Sequence, residues 1–215
     1  MVPVIERTKV PRGEARERIL AAATRLFGAQ GYEATTTRQI VEEAQVTKGA
    51  LYHWFGTKDE LLTTIYRELL AEQTSRLAAI AHGGGPVGKR LYAAVADLFD
   101  HMNEHYEPLT VWARSMHLVE GEGAAAVRRD RRRYYEIFRD LIKEGQAAGT
   151  VRTDVLASVI THTYLSSVIQ IHTWFHPGDP LTREELGRQM TALFMTAVRP
   201  VFQEPRPTAS PGGSA

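Results

Sequence analysis

Between Thr36 and Thr57 the chain carries three helix-start signals in close succession. Thr36-x-x-Gln39 and Thr57-x-x-Glu60 have the form of capping boxes. In each, a threonine side chain satisfies a backbone N–H three residues on and the Gln or Glu reaches back. Thr47 stands between them as another N-cap. This spacing predicts two short helices, about 36–43 and 47–53, joined only by Ala44-Gln45-Val46, and a longer helix after Thr57. Apolar positions agree. Ile19, Ala22, Ala23, Leu26 and Phe27 form one face of a preceding helix, with Gly31 just past its end. Ile40, Val41 and Ala44 fall on the first short helix, and Ala50, Leu51 and Trp54 on the second. Leu61, Leu62, Ile65, Leu69 and Leu70 fall on the longer helix. The first part of the chain therefore reads long, short, short, long.

Helical periodicity continues beyond, with no convincing alternating strand and no internal repeat. HGGGPVG (82–88) is the clearest punctuation, and a domain boundary is placed near it. Leu91, Val95, Leu98 and Met102 then share a helix that breaks at Pro108, and Leu109, Trp112 and Met116 share a short one. Tyr134, Ile137, Phe138, Leu141 and Ile142 mark a long helix ending before Gly149. Two apolar helices close the fold, at roughly 154–175 and 182–199, the second behind the capping box Thr182-x-x-Glu185. HPGDPL forms a tight turn between them, and EPRPTASPGGSA has the composition of a disordered tail.

Hydrophobic residues at 43% and charged residues at 24% are ordinary for a soluble globular chain. The apolar runs fall far short of the roughly 18 residues a membrane span needs. MVPVIERTKVPRGEARERIL holds no apolar leader segment, so a cytoplasmic location is expected. The absence of cysteine excludes disulfides, thiolate catalysis and Cys-ligated zinc. A net charge of +1 excludes a chain that is polybasic throughout. Arg7, Lys9, Arg12, Arg16 and Arg18 crowd the N-terminus against Glu6, Glu14 and Glu17. They suit a phosphate-seeking arm and a solvated helix face equally well.

Two short helices with a three-residue connection fit a helix-turn-helix, whose second helix enters the major groove. Thr47, Lys48, Gly49 and Ala50 then lie at the leading end of the recognition helix, followed by Tyr52, His53 and Trp54. Tyr52 and His53 offer polar tips to the phosphates; Trp54 either packs inward or lies against the sugar-phosphate wall. Thr35, Thr36, Arg38 and Lys58, near the starts of the flanking helices, are further phosphate candidates.

GYEATTTRQIVEEAQVTKGALYHWFGTKDELL (31–62) resembles the DNA-binding signature of the TetR family of transcriptional regulators. The Thr-Thr pair, Arg38-x-Ile40, Gly49-x-Leu51-Tyr52-x-x-Phe55 and Lys58-x-x-Leu61 carry the likeness. Gln45 departs from the usual turn glycine, so the turn must accept a side chain, and Val41 replaces the usual alanine. The resemblance implies an all-α fold: a three-helix helix-turn-helix DNA-binding domain linked by a long helix to a C-terminal helical ligand-binding and dimerisation domain. The boundaries are taken as 12–60 and 61–202, with a disordered tail at 203–215. It also implies a bacterial repressor that binds a palindromic operator as a homodimer and is released by a small hydrophobic or amphiphilic effector. No cofactor is called for. In the family the last two long helices pair into a four-helix bundle. Here Val159, Thr163, Ile169, Leu186, Leu193, Phe194 and Ala197 offer the apolar positions, and Ala157, Ser158, Ser166 and Ser167 the small ones. WFHPGDPLTREEL (174–186) is similar to a subgroup with acyl-CoA-sensing members, which makes an acyl-CoA thioester one effector candidate.

Met102, Tyr106, Trp112, Met116, Phe138, Tyr164 and Trp174 are candidates to line an apolar ligand pocket, beside His105, Arg114 and His162. At helical spacing such residues are more often core. Arg128, Arg129, Arg131, Arg132 and Arg133 suit an anionic ligand such as the phosphates of coenzyme A. A solvated stretch fits them better, because such a run points around most of a helix. His101/His105 and His172/His176 have the i, i+4 spacing of metal ligands, with Glu104 near the first pair. No third ligand can be placed from sequence, so no metal is assigned. No Ser/His/Asp spacing, phosphate loop or acidic-His motif supports an enzyme, and none is expected. A helical ligand-binding protein or enzyme without sequence-specific DNA recognition is the alternative.

Overall fold

A computed structural model of the chain describes residues 12–200, apart from 177 and 179. Arg7, Lys9 and the expected tail at 203–215 lie outside the described residues. The three threonines each cap a helix: α1 (Arg12–Gln30) is followed by α2 (Thr37–Glu43), α3 (Lys48–Trp54) and α4 (Lys58–Ala81). Thr36 Oγ1 accepts from Gln39 N at 3.3 Å, and Gln39 Oε1 accepts from Thr36 N at 2.8 Å, a complete capping box. Thr57 forms only half of one. Its Oγ1 accepts from Glu60 N at 3.0 Å, but the Glu60 carboxylate accepts from Gly56 N at 2.7 Å, one residue further back.

After the 82–88 loop come α5 (Val87–Glu104), α6 (Tyr106–Ser115), a 3-10 turn at Met116–Leu118, and α7 (Gly121–Ala147). Next are α8 (Ala157–Ile169), α9 (Ile171–Trp174) and α10 (Arg183–Ala197), and no strand occurs among the described residues. The break expected at Pro108 comes earlier, at His105. Pro108 sits in the first turn of α6, where a missing N–H costs nothing. The helix expected at 154–175 is interrupted at Gln170. There His172 Nδ1 bonds Ile169 O and Thr173 Oγ1 bonds Gln170 O, both at 2.7 Å, local contacts that compete with the helical ladder.

Two buried clusters hold the molecule. Ile19, Phe27, Ile40, Leu51, Phe55 and Leu61 build the first, which Val111 and Trp112 from α6 and Val127 from α7 complete. Leu77, Leu91, Val95, Phe138, Ile142, Tyr164 and Val168 centre the second, and Tyr66 on α4 packs against both. The helix-turn-helix is therefore roofed by the C-terminal helices. On α10, Leu186 is buried and Phe194 half-buried, the latter ring 4.3 Å from Tyr164, so both belong to the subunit's own core. Of the apolar positions on the closing helices, these two face inward. Gly187 lets α10 approach α5: a Cβ there would lie 3.1 Å from Phe99 Cβ.

The turn does accept a side chain. Gln45 has φ +52°, the left-handed region that costs an L-residue about 1 kcal/mol. Arg18 Nη2 donates to Gln45 Oε1 at 3.1 Å across the exposed surface. Gln45→Gly is expected to raise stability by about 0.5 kcal/mol, since strain relief outweighs the lost exposed bond and the added chain entropy. Calorimetry should show Tm rising by about 1–2 °C; a fall would mean that the Arg18 bond dominates.

Candidate DNA interface and ligand cavity

Leu51 and Phe55 are buried and anchor α3, which turns Thr47, Lys48, Gly49, Tyr52 and His53 outward. Thr36 and Arg38, at the start of α2, are exposed as well. Ala50 and Trp54 are half-buried, and Trp54 packs against the N-terminal core with its ring edge-on to His53. The Lys48 ammonium stands 5.7 Å from the Tyr52 ring centroid, so the two present one cationic and aromatic surface. Arg38 Nε is paired with Glu42 at 2.8 Å, which leaves its exposed Nη donors for a phosphate. At Gly49 a Cβ would meet nothing closer than Thr47 Oγ1 at 3.9 Å. The fold does not require glycine there, whereas a bare backbone permits close approach by a partner surface.

Two sequence candidates fill other roles. Thr35 is buried; its Oγ1 donates to Gly31 O at 2.7 Å and accepts from Gln30 Nε2 at 3.2 Å. Lys58 Nζ reaches Tyr32 O at 2.8 Å, Thr35 O at 2.9 Å and Glu33 O at 3.4 Å, and lies 4.3 Å from the Tyr32 ring centroid. Its three N–H donors are thus turned to three carbonyls, not outward. The Tyr32 hydroxyl donates to Asp59, and burial followed by that carboxylate pushes its pKa up. Together Lys58 and Tyr32 tie the α1–α2 loop to the start of α4, a tie between positions too far apart for spacing to reveal. Lys58→Met is expected to cost about 2 kcal/mol, because three carbonyls lose charge-assisted partners. A urea midpoint equal to that of the parent protein would count against this role.

Behind this module lies a cavity of about 480 Å³. Of the sequence candidates, Met102, Tyr106, Trp112 and Met116 line it. Phe138 and Tyr164 do not: they stack at 5.2 Å in the C-terminal core, and Tyr164 donates to Val95 O at 2.8 Å. Trp174 is half exposed and also lies outside the lining. His162 lines it with its ring 4.6 Å from Tyr135, whereas His105 and Arg114 do not line it.

Three arginines of the 128–133 run, for which a solvated stretch is the expectation, and Arg139, Tyr135, Arg183 and Gln73, which the sequence does not single out, supply the polar side. Arg128, Arg131, Arg132 and Arg139 line the cavity from α7 together with Tyr134 and Tyr135. Arg183 joins from α10, its guanidinium 3.6 Å from the Tyr106 ring centroid. The arginine run does wrap around its helix, but the residues spaced at 128, 131, 132, 135 and 139 recur on one side. That periodicity was the available signal. Gln73 is buried in the same lining with its Nε2 unbonded, a donor that an acceptor on a guest would satisfy. Tyr66 and Trp112 stack at 4.1 Å and 7° where the cavity meets the N-terminal core.

The architecture has counterparts among known proteins. A family described as bacterial regulatory proteins, tetR family, matches residues 19–65, and one described as tetracyclin repressor-like, C-terminal domain, matches 84–198. The HTH-type transcriptional repressor KstR2 of Mycobacterium tuberculosis is 25% identical over 188 residues, 87% of this chain and 92% of that one. A TetR/AcrR-family regulator from Thermobifida fusca superposes with a TM-score of 0.72 at 30% identity, over 86% of this chain and 98% of that one. AibR in complex with isovaleryl coenzyme A and operator DNA has a TM-score of 0.71 at 23% identity, over 84% and 97% of the two chains.

Proposed function

Because the chain belongs to the TetR family of bacterial transcriptional regulators, we propose that it represses from a palindromic operator as a homodimer and lets go when an anionic amphiphile fills its cavity. Thr36, Arg38, Thr47, Lys48, Gly49, Ala50, Tyr52, His53 and Trp54 form the operator surface, with residues 12–60 as the DNA-binding domain and 61–202 as the sensing and pairing domain. Thr35 and Lys58 position that surface and do not touch DNA. The protein acts in the cytoplasm, on DNA, and carries out no catalysis.

One observation carries the effector class: a single cavity joins apolar and aromatic walls to five arginines and an unbonded buried amide. An acyl-CoA thioester fits this chemistry, with its chain among Leu70, Leu98, Phe99 and Met102, its carbonyl toward Gln73 and its phosphates toward α7. The complex of AibR with isovaleryl coenzyme A and operator DNA supports such a ligand for this fold. Release requires that the ligand bind the DNA-incompetent state more tightly, since equal affinity for both states shifts nothing. Tyr66 and Trp112 belong both to the cavity lining and to the packing beneath the helix-turn-helix, which gives occupancy a direct mechanical route.

The test is selection of an operator from random duplex DNA, then titration of the complex with acyl-CoAs of increasing chain length. Release at stoichiometric ligand is expected. Release by neutral aromatics but not by any thioester would reassign the effector. Failure to enrich a palindrome would sink the operator reading itself.

A further inference from the structure

We propose that Glu72, His101 and His105 form a binding site for a divalent first-row cation, with Zn²⁺ as the representative ion, at the junction of α4, α5 and α6. The residue that sequence alone could not place is Glu72, contributed by a different helix from the two histidines. One ligand atom from each of the three residues lies within 4.8 Å of the others. His105 Nε2 stands 3.7 Å from Glu72 Oε2, and the two imidazole centroids are 4.5 Å apart.

The second, independent observation is His101 itself. It is 1% exposed, and neither ring nitrogen has a hydrogen-bond partner. A buried imidazole left without partners is costly and calls for an explanation. A cation accepts the lone pair that nothing else in the surroundings uses. Burial, reinforced by neighbouring His105, holds the His101 pKa below its ordinary value, which keeps the ring in the neutral form that ligates.

The surrounding charges favour a cation. Arg76 donates to Asp97 and Glu104 at 2.8 Å each and stands 4.0 Å from Glu72 Oε1. Three carboxylates around one guanidinium leave a net negative field at the histidines. Glu104, the ligand that sequence spacing offered, is committed to Arg76 and leaves the role to Glu72. Two imidazoles and a carboxylate suit Zn²⁺ and its neighbours better than Mg²⁺ or Ca²⁺, which take oxygen ligands. Tetrahedral ligand atoms at Zn²⁺ distances lie about 3.3 Å apart, so the side chains must draw together by about an ångström. Glu72, whose side chain is exposed, is placed to make most of that movement.

Gln73, Met102 and Tyr106, each next in sequence to one ligand, line the cavity. A bound ion would clamp α4 to the end of α5 and fix that wall.

The experiment uses the full chain after chelator treatment and dialysis, titrated with Co²⁺ and then with competing Zn²⁺. The expected result is one equivalent of Co²⁺ with visible ligand-field bands of a low-symmetry site, bleached by Zn²⁺, and a higher Tm with Zn²⁺ than without. Glu72→Gln and His105→Gln should each weaken Co²⁺ uptake at least tenfold, and His101→Leu should abolish the bands. Because Glu72 and His105 are not fully buried, their variants keep the test decisive even if His101→Leu fails to fold. Absent bands with the parent protein at a tenfold excess of Co²⁺, or uptake unchanged in Glu72→Gln and His105→Gln, overturns the site.

Discussion

Replacing Arg128 and Arg131 together by glutamine is expected to weaken binding of a long-chain acyl-CoA by about 100-fold while leaving operator affinity unchanged, because two charge-assisted phosphate contacts are lost. The choice of pair follows from the partners of each arginine. Arg132 bonds Glu136 at 2.6 Å and Arg139 bonds Asp140 at 3.0 Å, so both have carboxylates of their own. Arg128 and Arg131 line the cavity with no ion pair among the described residues. Arg129 and Arg133 share the helix but not the cavity, so Arg129→Gln with Arg133→Gln removes the same charge without the contacts. Calorimetric titration of both double variants separates a local contact from a general field. Equal losses in the two would leave only the field, and no loss in the first would remove the arginines from recognition. A fatty alcohol of matching chain length should bind the parent protein and the first double variant alike, since it has no phosphate to lose.

The comparison of arginines also shows where sequence reasoning stopped. Local grammar was legible: Thr36, Thr47 and Thr57 start their helices, and Gln45 carries the turn in a left-handed conformation. These outcomes depend on neighbours within about four residues, where backbone hydrogen bonding and capping decide. What escaped depends on elements brought together by packing. The place of Lys58 in a first turn suggests a phosphate contact, and nothing nearby in sequence says that its ammonium meets carbonyls from residues 32, 33 and 35. Phe138 and Tyr164 are large apolar residues on helices, as Met102 and Tyr106 are, yet one pair fills the core and the other lines the cavity. Periodicity finds the inward face of a helix, but only the opposing helices decide whether that face meets side chains or space. Glu72 is the sharpest case, because its meeting with His101 and His105 exists only once α4 lies against α5.

Val159→Glu combined with Leu193→Glu is expected to convert the protein to a monomer and to lower operator affinity by about 10²- to 10⁴-fold, the gain that joining two binding modules ordinarily supplies. Apolar exposure is concentrated on the closing helices. Leu156 is 73% exposed and Leu193 66%, with Val159, Ile169 and Trp174 also turned outward. Thr163 and Ser166 lie exposed among them on α8, and Ala192 and Ala197 on α10, so the surface is apolar and low enough for two helix pairs to approach. Leu186 and Phe194, by contrast, are engaged in the subunit's own core, and the substitutions avoid them. At a monomer surface the two changes would cost little, whereas across a two-fold interface each glutamate meets its own copy or apolar neighbours and is stripped of water. Sedimentation at micromolar concentration reads the first effect directly. A parent protein that sediments as a monomer, or a variant that remains a dimer, would sink the assignment. The footprint supplies the independent reading: two copies held rigidly protect half-sites about one helical turn apart, or a multiple of that, and a monomeric variant loses that paired protection even where a single recognition helix still finds its bases.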